Sequence, residues 1–260
     1  MEKLSVYIVT LNEEARLPAT LEAARKVADE IVVVDSGSTD KTVKIAEKYG
    51  AKTVFHKWKN ISSQKHFAQN LCRNDWVLSL DADEVLSPEL VKEIKKIMKN
   101  PTADAYWVKI VDRCPGDEKP RFGAKKYHLV RLYDRRKANM PDDLTHDRVV
   151  LSPSARTAEL DNIIYHDSYL SLFQLWIKYN LYTNELITTA LKSGRKYSLF
   201  RLLIEFPWQF LRYYFVKRFF LRGVWGFIMA VSMAYFRFLK IAKYFEYKMT
   251  QEKSASRSRR

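Results

Sequence analysis

The first 100 residues alternate short apolar runs with helical patterns, and this alternation limits the chain to a few folds. Four strand-like runs occur, at residues 5–10, 31–35, 52–56 and 76–80. Three helical patterns follow them, at residues 13–28, at 40–49, and after Ser87-Pro88, where Ser is a favourable N-cap and Pro a favourable first helical residue. This order predicts an α/β fold with a mostly parallel, doubly wound sheet between helices.

The pattern changes after residue 100. Strand candidates at residues 105–111 and 127–133 precede a polar, turn-rich segment at 138–147. From residue 168 the sequence indicates helices. We therefore predict an α/β domain over residues 1–167, with halves at 1–100 and 101–167. A helical region over 168–249 and a disordered basic tail over 250–260 follow it.

Charge and cysteine content restrict the compartment and the partners. The chain carries a formal net charge of +15, and residues 195–260 hold 15 Lys and Arg against three Glu, a net of +12. The two cysteines, Cys72 and Cys114, have neither metal-ligand spacing nor a disulfide framework, which favours a reduced, cytoplasmic compartment. The 47% hydrophobic content excludes global disorder.

The strongest local motif is Asp81-Ala82-Asp83, which follows an apolar strand candidate and precedes a capped helix. Two carboxylates spaced i and i+2 at a strand end can turn toward one point. Hard divalent cations prefer such oxygen ligands and often bridge to substrate phosphates. The alternative is an acidic turn that only caps the next helix.

Three further polar motifs are predicted at the ends of strands or on the helices between them. They are Thr10-Leu11-Asn12-Glu13, Asp35-Ser36-Gly37-Ser38-Thr39-Asp40, and Lys65 with Ala68 and Asn70. Helix capping explains most of the first two, and a solvated lysine explains the third. Because the carboxyl ends of parallel strands share one edge, the motifs together indicate a nucleotide site.

This set of motifs resembles the family 2 glycosyltransferases over residues 4–100. The resemblance implies a GT-A fold, an inverting mechanism and a nucleoside-diphosphate sugar donor. Nucleotide-binding roles then fall on residues that match the family's motifs: Thr10, Asn12, Glu13, Asp35, Ser36, Lys65, Asp81, Ala82 and Asp83. Of these, Glu13 and Asp35 would face the nucleoside and Lys65 the diphosphate. Asp83, supported by Asp81, would bind Mg²⁺ or Mn²⁺.

The second half looks like the lipopolysaccharide core glucosyltransferases. The matching segments are Val130-Arg131-Leu132-Tyr133, Leu144-Thr145-His146-Asp147 and Tyr165-His166-Asp167. This resemblance implies UDP-glucose as donor and a glycolipid, an inner-core heptose, as acceptor. Thr145 and Asp147 stand where Val and Glu are usual, so another envelope glycan or a glycoprotein is the alternative acceptor.

An inverting transfer needs one general base for the acceptor hydroxyl. Asp147 matches the family's acidic position and is the predicted base, with Asp143 as the second candidate. His166 is predicted to complete the metal site or to touch the diphosphate. His146 and Arg131 are predicted to contact the acceptor or to orient the base. A structural hydrogen-bonding role is the alternative for each histidine.

The C-terminal quarter combines aromatic residues with cations. Its longest uncharged apolar run, residues 223–236, has 14 residues, whereas a spanning helix needs about 20. We therefore predict a peripheral protein on the inner face of the cytoplasmic membrane, bound to anionic lipid. No nucleic-acid-binding module accompanies the charge. The remaining alternatives are a nucleotidyltransferase and a non-catalytic protein that binds membrane or nucleic acid.

Overall fold

The computed structural model describes residues 2–121, 123–142 and 148–257. The chain forms two compact units. The first comprises Met1–Arg113, Glu118–Pro120 and Ala124–Ser168, and the second comprises Cys114–Asp117, Arg121–Gly123 and Tyr169–Arg260.

An eight-stranded sheet forms the centre of the first unit. Its strands are β1 (Leu4–Thr10), β2 (Glu30–Asp35), β3 (Lys52–Phe55), β4 (Trp76–Asp81), β5 (Glu84–Leu86), β6 (Ala105–Asp112), β7 (Lys126–Asp134) and β10 (Thr157–His166). They lie in the order β3-β2-β1-β4-β7-β6-β10-β5, and β7 and β5 run antiparallel to their neighbours. A short ribbon pairs β8 (Ala138–Asn139) with β9 (Val150–Leu151). The mostly parallel α/β architecture is therefore confirmed.

Helices cover both faces of the sheet. They are α1 (Leu17–Ala24), α2 (Thr42–Lys48), α3 (Ile61–Leu71) and α4 (Pro88–Ile97). Buried residues of α1, α2 and α4 pack with Val6, Ile8 and Leu78 on one face, and Ala68 of α3 packs with Val9 on the other. Strands β1 and β2 are buried throughout, which explains their nearly continuous apolar sequence.

Helix α1 begins four residues later than the pattern at 13–28 predicts. Asn12 has a left-handed backbone with φ of 55°, a conformation that Asn tolerates better than most residues. The backbone N–H groups of Asn12 and Glu13 donate to the hydroxyls of Ser38 and Thr42, at 2.8 and 2.7 Å. Ser38 of the loop after β2 and Thr42 of α2 thus hold the turn after β1, and the first helical hydrogen bond, from the Leu17 N–H to the Glu13 carbonyl, follows at 2.9 Å.

The second unit is helical. It contains α5 (Leu172–Lys192), α6 (Leu199–Leu211), a π-helical turn (Arg212–Val216), a 3₁₀ turn (Phe219–Arg222) and α7 (Gly223–Arg257). Helix α7 contacts both α5 and α6. It continues past Thr250, where the sequence predicts a disordered tail to begin, because residues 251–257 contain neither Gly nor Pro.

One helical stretch of the second unit, Phe219–Gln251, is long and apolar enough to cross a membrane. The uncharged apolar run in the sequence ends before Arg237 and is too short to span a membrane. A search window that allows two charged residues identifies the longer helix. Core helices and signal sequences satisfy the same test of length and composition, so the finding does not by itself place the helix in a bilayer.

Candidate active site

The predicted motifs meet at one edge of the sheet. Parallel pairing sets Thr10 of β1 beside Asp35 of β2, and Val9 of β1 beside Asp81 of β4. The loops that follow these three strands therefore leave the sheet side by side. This edge is where open α/β sheets bind ligands.

Asp35 organises the loop that follows β2. Its carboxylate accepts hydrogen bonds from the backbone N–H groups of Gly37 and Ser38, at 2.8 and 2.7 Å, and from the hydroxyls of Ser38 and Thr10. Gly37 has a φ of 105°, which L side chains rarely adopt. Asp35 thus fixes the turn beside the predicted nucleoside position, and its side chain is buried.

The loops after β1 and β2 brace each other. Besides the two hydroxyl contacts described above, the Asn12 side-chain oxygen accepts from the Thr39 N–H at 2.9 Å. The Ser36 N–H donates to the Thr10 carbonyl at 3.0 Å. In the loop after β4, the Ala82 carbonyl accepts from the Thr20 hydroxyl at 2.8 Å. Hydrogen bonds between these loops therefore fix the backbone at this edge of the sheet.

Asp83 faces two cationic groups. The Asp83 Oδ2 atom lies 3.2 Å from the Arg16 guanidinium and 3.5 Å from His166 Nε2. Arg16 also pairs in bidentate fashion with Glu13, at 2.6 and 2.7 Å. Burial raises the pKa of Glu13, and the charge of Arg16 opposes that shift. Glu13 is therefore tied to the Asp83 site through Arg16.

His166 reaches this site because β10 pairs antiparallel with β5, which sets His166 beside Glu84. The Asp167 N–H donates to the Asp83 carbonyl at 2.9 Å, and His166 Nδ1 lies 2.6 Å from Asp112 Oδ1. Burial lowers the pKa of His166, but hydrogen bonds and charges of Asp112 and Asp83 outweigh burial and raise this pKa to about 10. Asp112 therefore holds His166 Nδ1 and Nε2 faces Asp83, so that Nε2 would have to release its proton before it could bind a metal.

Asp81 belongs to a buried network of charges. Its two carboxylate oxygens lie 2.7 Å from Lys65 Nζ and 3.0 Å from Arg131 Nη2. Arg131 also pairs with Glu84 at 2.5 Å. Burial alone would raise the pKa of Asp81, but the two cations hold it well below its usual range. For Glu84, burial prevails and raises the pKa.

This network gives Lys65 and Arg131 structural partners that the sequence does not reveal. Lys65 is completely buried on α3 and Arg131 is 3% exposed on β7, so their charges serve Asp81 and Glu84 inside the unit. The carboxylate of Asp81 faces these cations, whereas that of Asp83 faces Arg16 and His166. The two acids of the motif thus have different surroundings.

A divalent cation fits the donor set beside Asp83. Asp83 Oδ2 and His166 Nε2 are close together and partly exposed, and Mg²⁺ or Mn²⁺ accepts carboxylate and imidazole ligands. Among the described residues, no group of three or more His, Cys, Asp and Glu side chains is arranged to hold a metal. The remaining ligands would therefore come from a bound diphosphate and water.

Three predicted residues, Asp143, His146 and Asp147, lie outside the described residues. The segment that precedes them is anchored on α3: the Met140 carbonyl lies 2.6 Å from His66 Nδ1, and the Pro141 carbonyl accepts from the Ser62 hydroxyl at 2.7 Å. The polar segment that carries the predicted base therefore starts beside α3.

Arg16, Glu84 and Asp112 belong to this site, and sequence reasoning missed their roles. The i,i+3 spacing of Glu13 and Arg16 was a signal for their pairing. Nothing local connects Arg16 with Asp83, or Asp112 with His166, because these pairs are 67 and 54 residues apart. Only the strand order brings them together.

A family model and several relatives of this chain all describe glycosyltransferases. The family model described as glycosyl transferase family 2 matches residues 5–153. An uncharacterized glycosyltransferase of Rickettsia conorii is 41% identical over 93% of this chain and 89% of its own length. The lipopolysaccharide core biosynthesis glycosyltransferase LpsC of Rhizobium meliloti is 29% identical over 94% of this chain and 92% of its own length.

Two solved structures show partial similarity. Staphylococcus aureus TarS, residues 1–349, is 17% identical with a TM-score of 0.45, covering 97% of this chain and 92% of that one. Glucosyl-3-phosphoglycerate synthase of Mycobacterium tuberculosis, in complex with Mn²⁺ and UDP, is 24% identical with a TM-score of 0.36. That match covers 43% of this chain and 44% of the synthase.

Proposed function

Because the chain belongs to glycosyl transferase family 2, we propose that it moves a hexose from a UDP-sugar to a glycolipid on a membrane. Glucose as the sugar and an inner-core heptose of lipopolysaccharide as the acceptor follow from the sequence resemblance. The relationship to a lipopolysaccharide core glycosyltransferase supports this acceptor class. Another envelope glycan or a glycoprotein is the second candidate acceptor.

The observation that carries the proposal is the Asp83–His166 pair at the carboxyl edge of the sheet, 3.5 Å apart. We assign these two side chains as the protein ligands of the metal, and the buried network as the support of Asp81. When bound, the cation supplies Lewis-acid charge to the departing diphosphate. Arg16, beside the same carboxylate, adds a fixed positive charge at this position.

In the proposed inverting transfer, the acceptor hydroxyl loses its proton to a carboxylate and its oxygen forms a bond with the anomeric carbon. The bond from that carbon to the diphosphate oxygen breaks, and the electron pair leaves with UDP. Asp35 and Glu13 shape the nucleoside end of the site through the braced loops described above. Asp147 remains the proposed base and Asp143 the second candidate.

Calorimetry with UDP and Mn²⁺ tests the donor site. Because the described protein ligands are only two, we expect Mn²⁺ alone to bind weakly and UDP to bind tightly only when Mn²⁺ is present. ADP and GDP serve as controls for base preference. If no nucleoside diphosphate binds, with or without the metal, the chain is a non-catalytic member of its family.

The base assignment has its own test. We expect Asp147→Ala to lower the turnover number by about 10³-fold or more, since the acceptor hydroxyl then loses its proton acceptor. Binding of UDP with Mn²⁺ should not change. Asp143→Ala is the matched control in the same segment and should retain most activity. The reverse result, an active Asp147→Ala and an inactive Asp143→Ala, would transfer the role to Asp143.

A membrane location is also part of the proposal. The net charge of +12 over residues 195–260 supports attachment to anionic lipid on the inner face of the cytoplasmic membrane. A glycolipid acceptor would be presented on the same surface. Transfer to an acceptor in anionic vesicles should therefore be faster than transfer to the same acceptor in neutral detergent.

A further inference from the structure

Helix α6 exposes an apolar stripe. We define the α6 stripe as six large apolar residues that recur every three to four positions and are each at least 41% exposed: Leu199, Phe200, Leu203, Ile204, Trp208 and Leu211. Phe215 and Val216 extend it into the π-helical turn. The spacing places all of them along one side of the helix.

The opposite side of α6 is polar and buried. Glu205 and Gln209 are each 5% exposed, and the Gln209 side-chain amide donates to Glu205 at 3.1 Å. Arg201 of the same helix and Arg237 of α7 lie 3.2 and 3.6 Å from the Glu205 carboxylate. The charges on the inner side of α6 are therefore matched within the second unit.

This polarity is the reverse of that of a surface helix in water. Such a helix normally buries its apolar side and exposes its charges. A contiguous row of exposed large apolar side chains marks a surface that is covered in the working state. The inner side of α6 is already satisfied by ion pairs and hydrogen bonds. Rotating the helix to bury the stripe would separate Glu205 from Arg237 and leave both charges without this partner.

Cations border both ends of the α6 stripe. Arg195 and Lys196 precede it, and Lys217 and Arg218 follow the π-helical turn, all of them exposed. An apolar row between clusters of exposed cations complements the surface of an anionic bilayer, where phosphate groups lie just outside the hydrocarbon. A second copy of this chain would bring the same cations together, which electrostatic repulsion disfavours.

The length of α6 favours an orientation parallel to the membrane. Its 13 residues extend about 20 Å, less than the roughly 30 Å of a hydrocarbon core. Its exposed side is apolar, whereas its acidic and amide side chains, Glu205 and Gln209, lie on the buried side. A helix of this kind lies in the interfacial region with its apolar side in the acyl chains.

We propose that the α6 stripe is the lipid-inserting surface of the second unit and that its bordering cations bind anionic headgroups. This inference specifies the membrane location proposed above and rests on it. It assigns lipid contact to α6, whereas length and composition alone would select α7. Helix α7 packs against α5 and α6 through one side, on which Ala230, Ser232 and Ala234 are buried, and 28% of its apolar window is buried in total.

Flotation of the full-length protein with lipid vesicles tests the inference. Vesicles of phosphatidylcholine with phosphatidylglycerol are compared with phosphatidylcholine alone. We expect Leu203→Glu and Trp208→Glu each to lower the partition coefficient by about tenfold or more, because a charge replaces an inserted apolar side chain. Lys217→Gln with Arg218→Gln should lower it by about fivefold per charge on the anionic vesicles only.

A pair of identical substitutions provides the control. Val216→Glu lies in the extension of the stripe, and Val150→Glu lies in the first unit; the two valines are 74% and 58% exposed. Only Val216→Glu should reduce flotation. Circular dichroism of every variant establishes that the helices are retained. A loss of flotation then reflects weaker lipid binding and not unfolding.

Each alternative has a distinct outcome. If the wild-type protein floats and the α6 variants float equally well, the stripe does not insert, although the membrane location stands. If the wild-type protein does not float, the location itself fails. Resistance to alkaline carbonate extraction would instead show a spanning helix. A vesicle-free dimer in light scattering that Leu203→Glu dissociates would show that a second copy covers the stripe. Either a spanning helix or such a dimer would overturn the proposal that the α6 stripe inserts into lipid.

Discussion

Replacing Asp83 by asparagine should lower transfer by about 10³-fold or more, equivalent to roughly 4 kcal/mol of transition-state stabilisation. The substitution keeps the size of the side chain and removes the charge that faces Arg16 and His166. We expect binding of UDP in the presence of Mn²⁺ to weaken together with turnover. Calorimetry and a donor-hydrolysis assay measure the two effects separately.

Asp75→Asn is the matched control, since Asp75 directly precedes β4 at the amino end of the strand that leads to Asp83. Its carboxylate is half-exposed and lies 3.2 Å from Arg136. Exposed pairs of this kind contribute little, so donor binding and turnover should stay near the wild-type values. If Asp83→Asn retains metal-dependent UDP binding, the assignment of Asp83 as a metal ligand is wrong.

Replacing Arg131 by methionine should destabilise the first unit by about 3 kcal/mol, because the buried carboxylate of Glu84 and the partly exposed one of Asp81 then lose a shared partner. Arg131 lies 3.0 Å from Asp81 and 2.5 Å from Glu84, and only 3% of its surface is exposed. The free energy of unfolding from urea denaturation measures the effect. Arg131→Lys keeps the charge and should cost less.

Lys109→Met on the neighbouring strand β6 is the control for removal of a positive charge. The Lys109 side chain is 47% exposed, and its ammonium lies 4.0 Å from Glu159. We expect a change below about 1 kcal/mol. Equal losses of stability in Arg131→Met and Lys109→Met would show that the buried network adds nothing beyond a surface pair.

Much of the edge that we propose as the nucleotide site can be predicted from local patterns. The apolar runs of β1, β2 and β4 and the polar residues that follow them are contiguous in sequence, and parallel strands have their carboxyl ends on one edge. Asp35 and Asp83 could therefore be placed at the same edge without coordinates. The hydrogen-bond and ion-pair partners of each carboxylate could not be predicted, because they come from other parts of the chain.

The surroundings of Lys65 illustrate this limit. A lysine on a helix after β3 is compatible with a diphosphate contact or with a solvated surface position, and the sequence does not separate the two. In the folded unit Lys65 is fully buried and pairs with Asp81, since α3 packs across the face of the sheet toward β4. Burial of a charge depends on what covers it, which is a tertiary property.

Periodicity and strand-end motifs, which are local, suffice for the α/β class, for the family resemblance and for the edge that we propose as the donor site. Tertiary packing decides which acid faces the metal position, because Asp83 meets His166 only through the pairing of β5 with β10. It also decides which side of α6 faces outward, since Glu205 turns inward to meet Arg237 of α7. Contacts between distant segments select among the arrangements that local patterns leave equally possible.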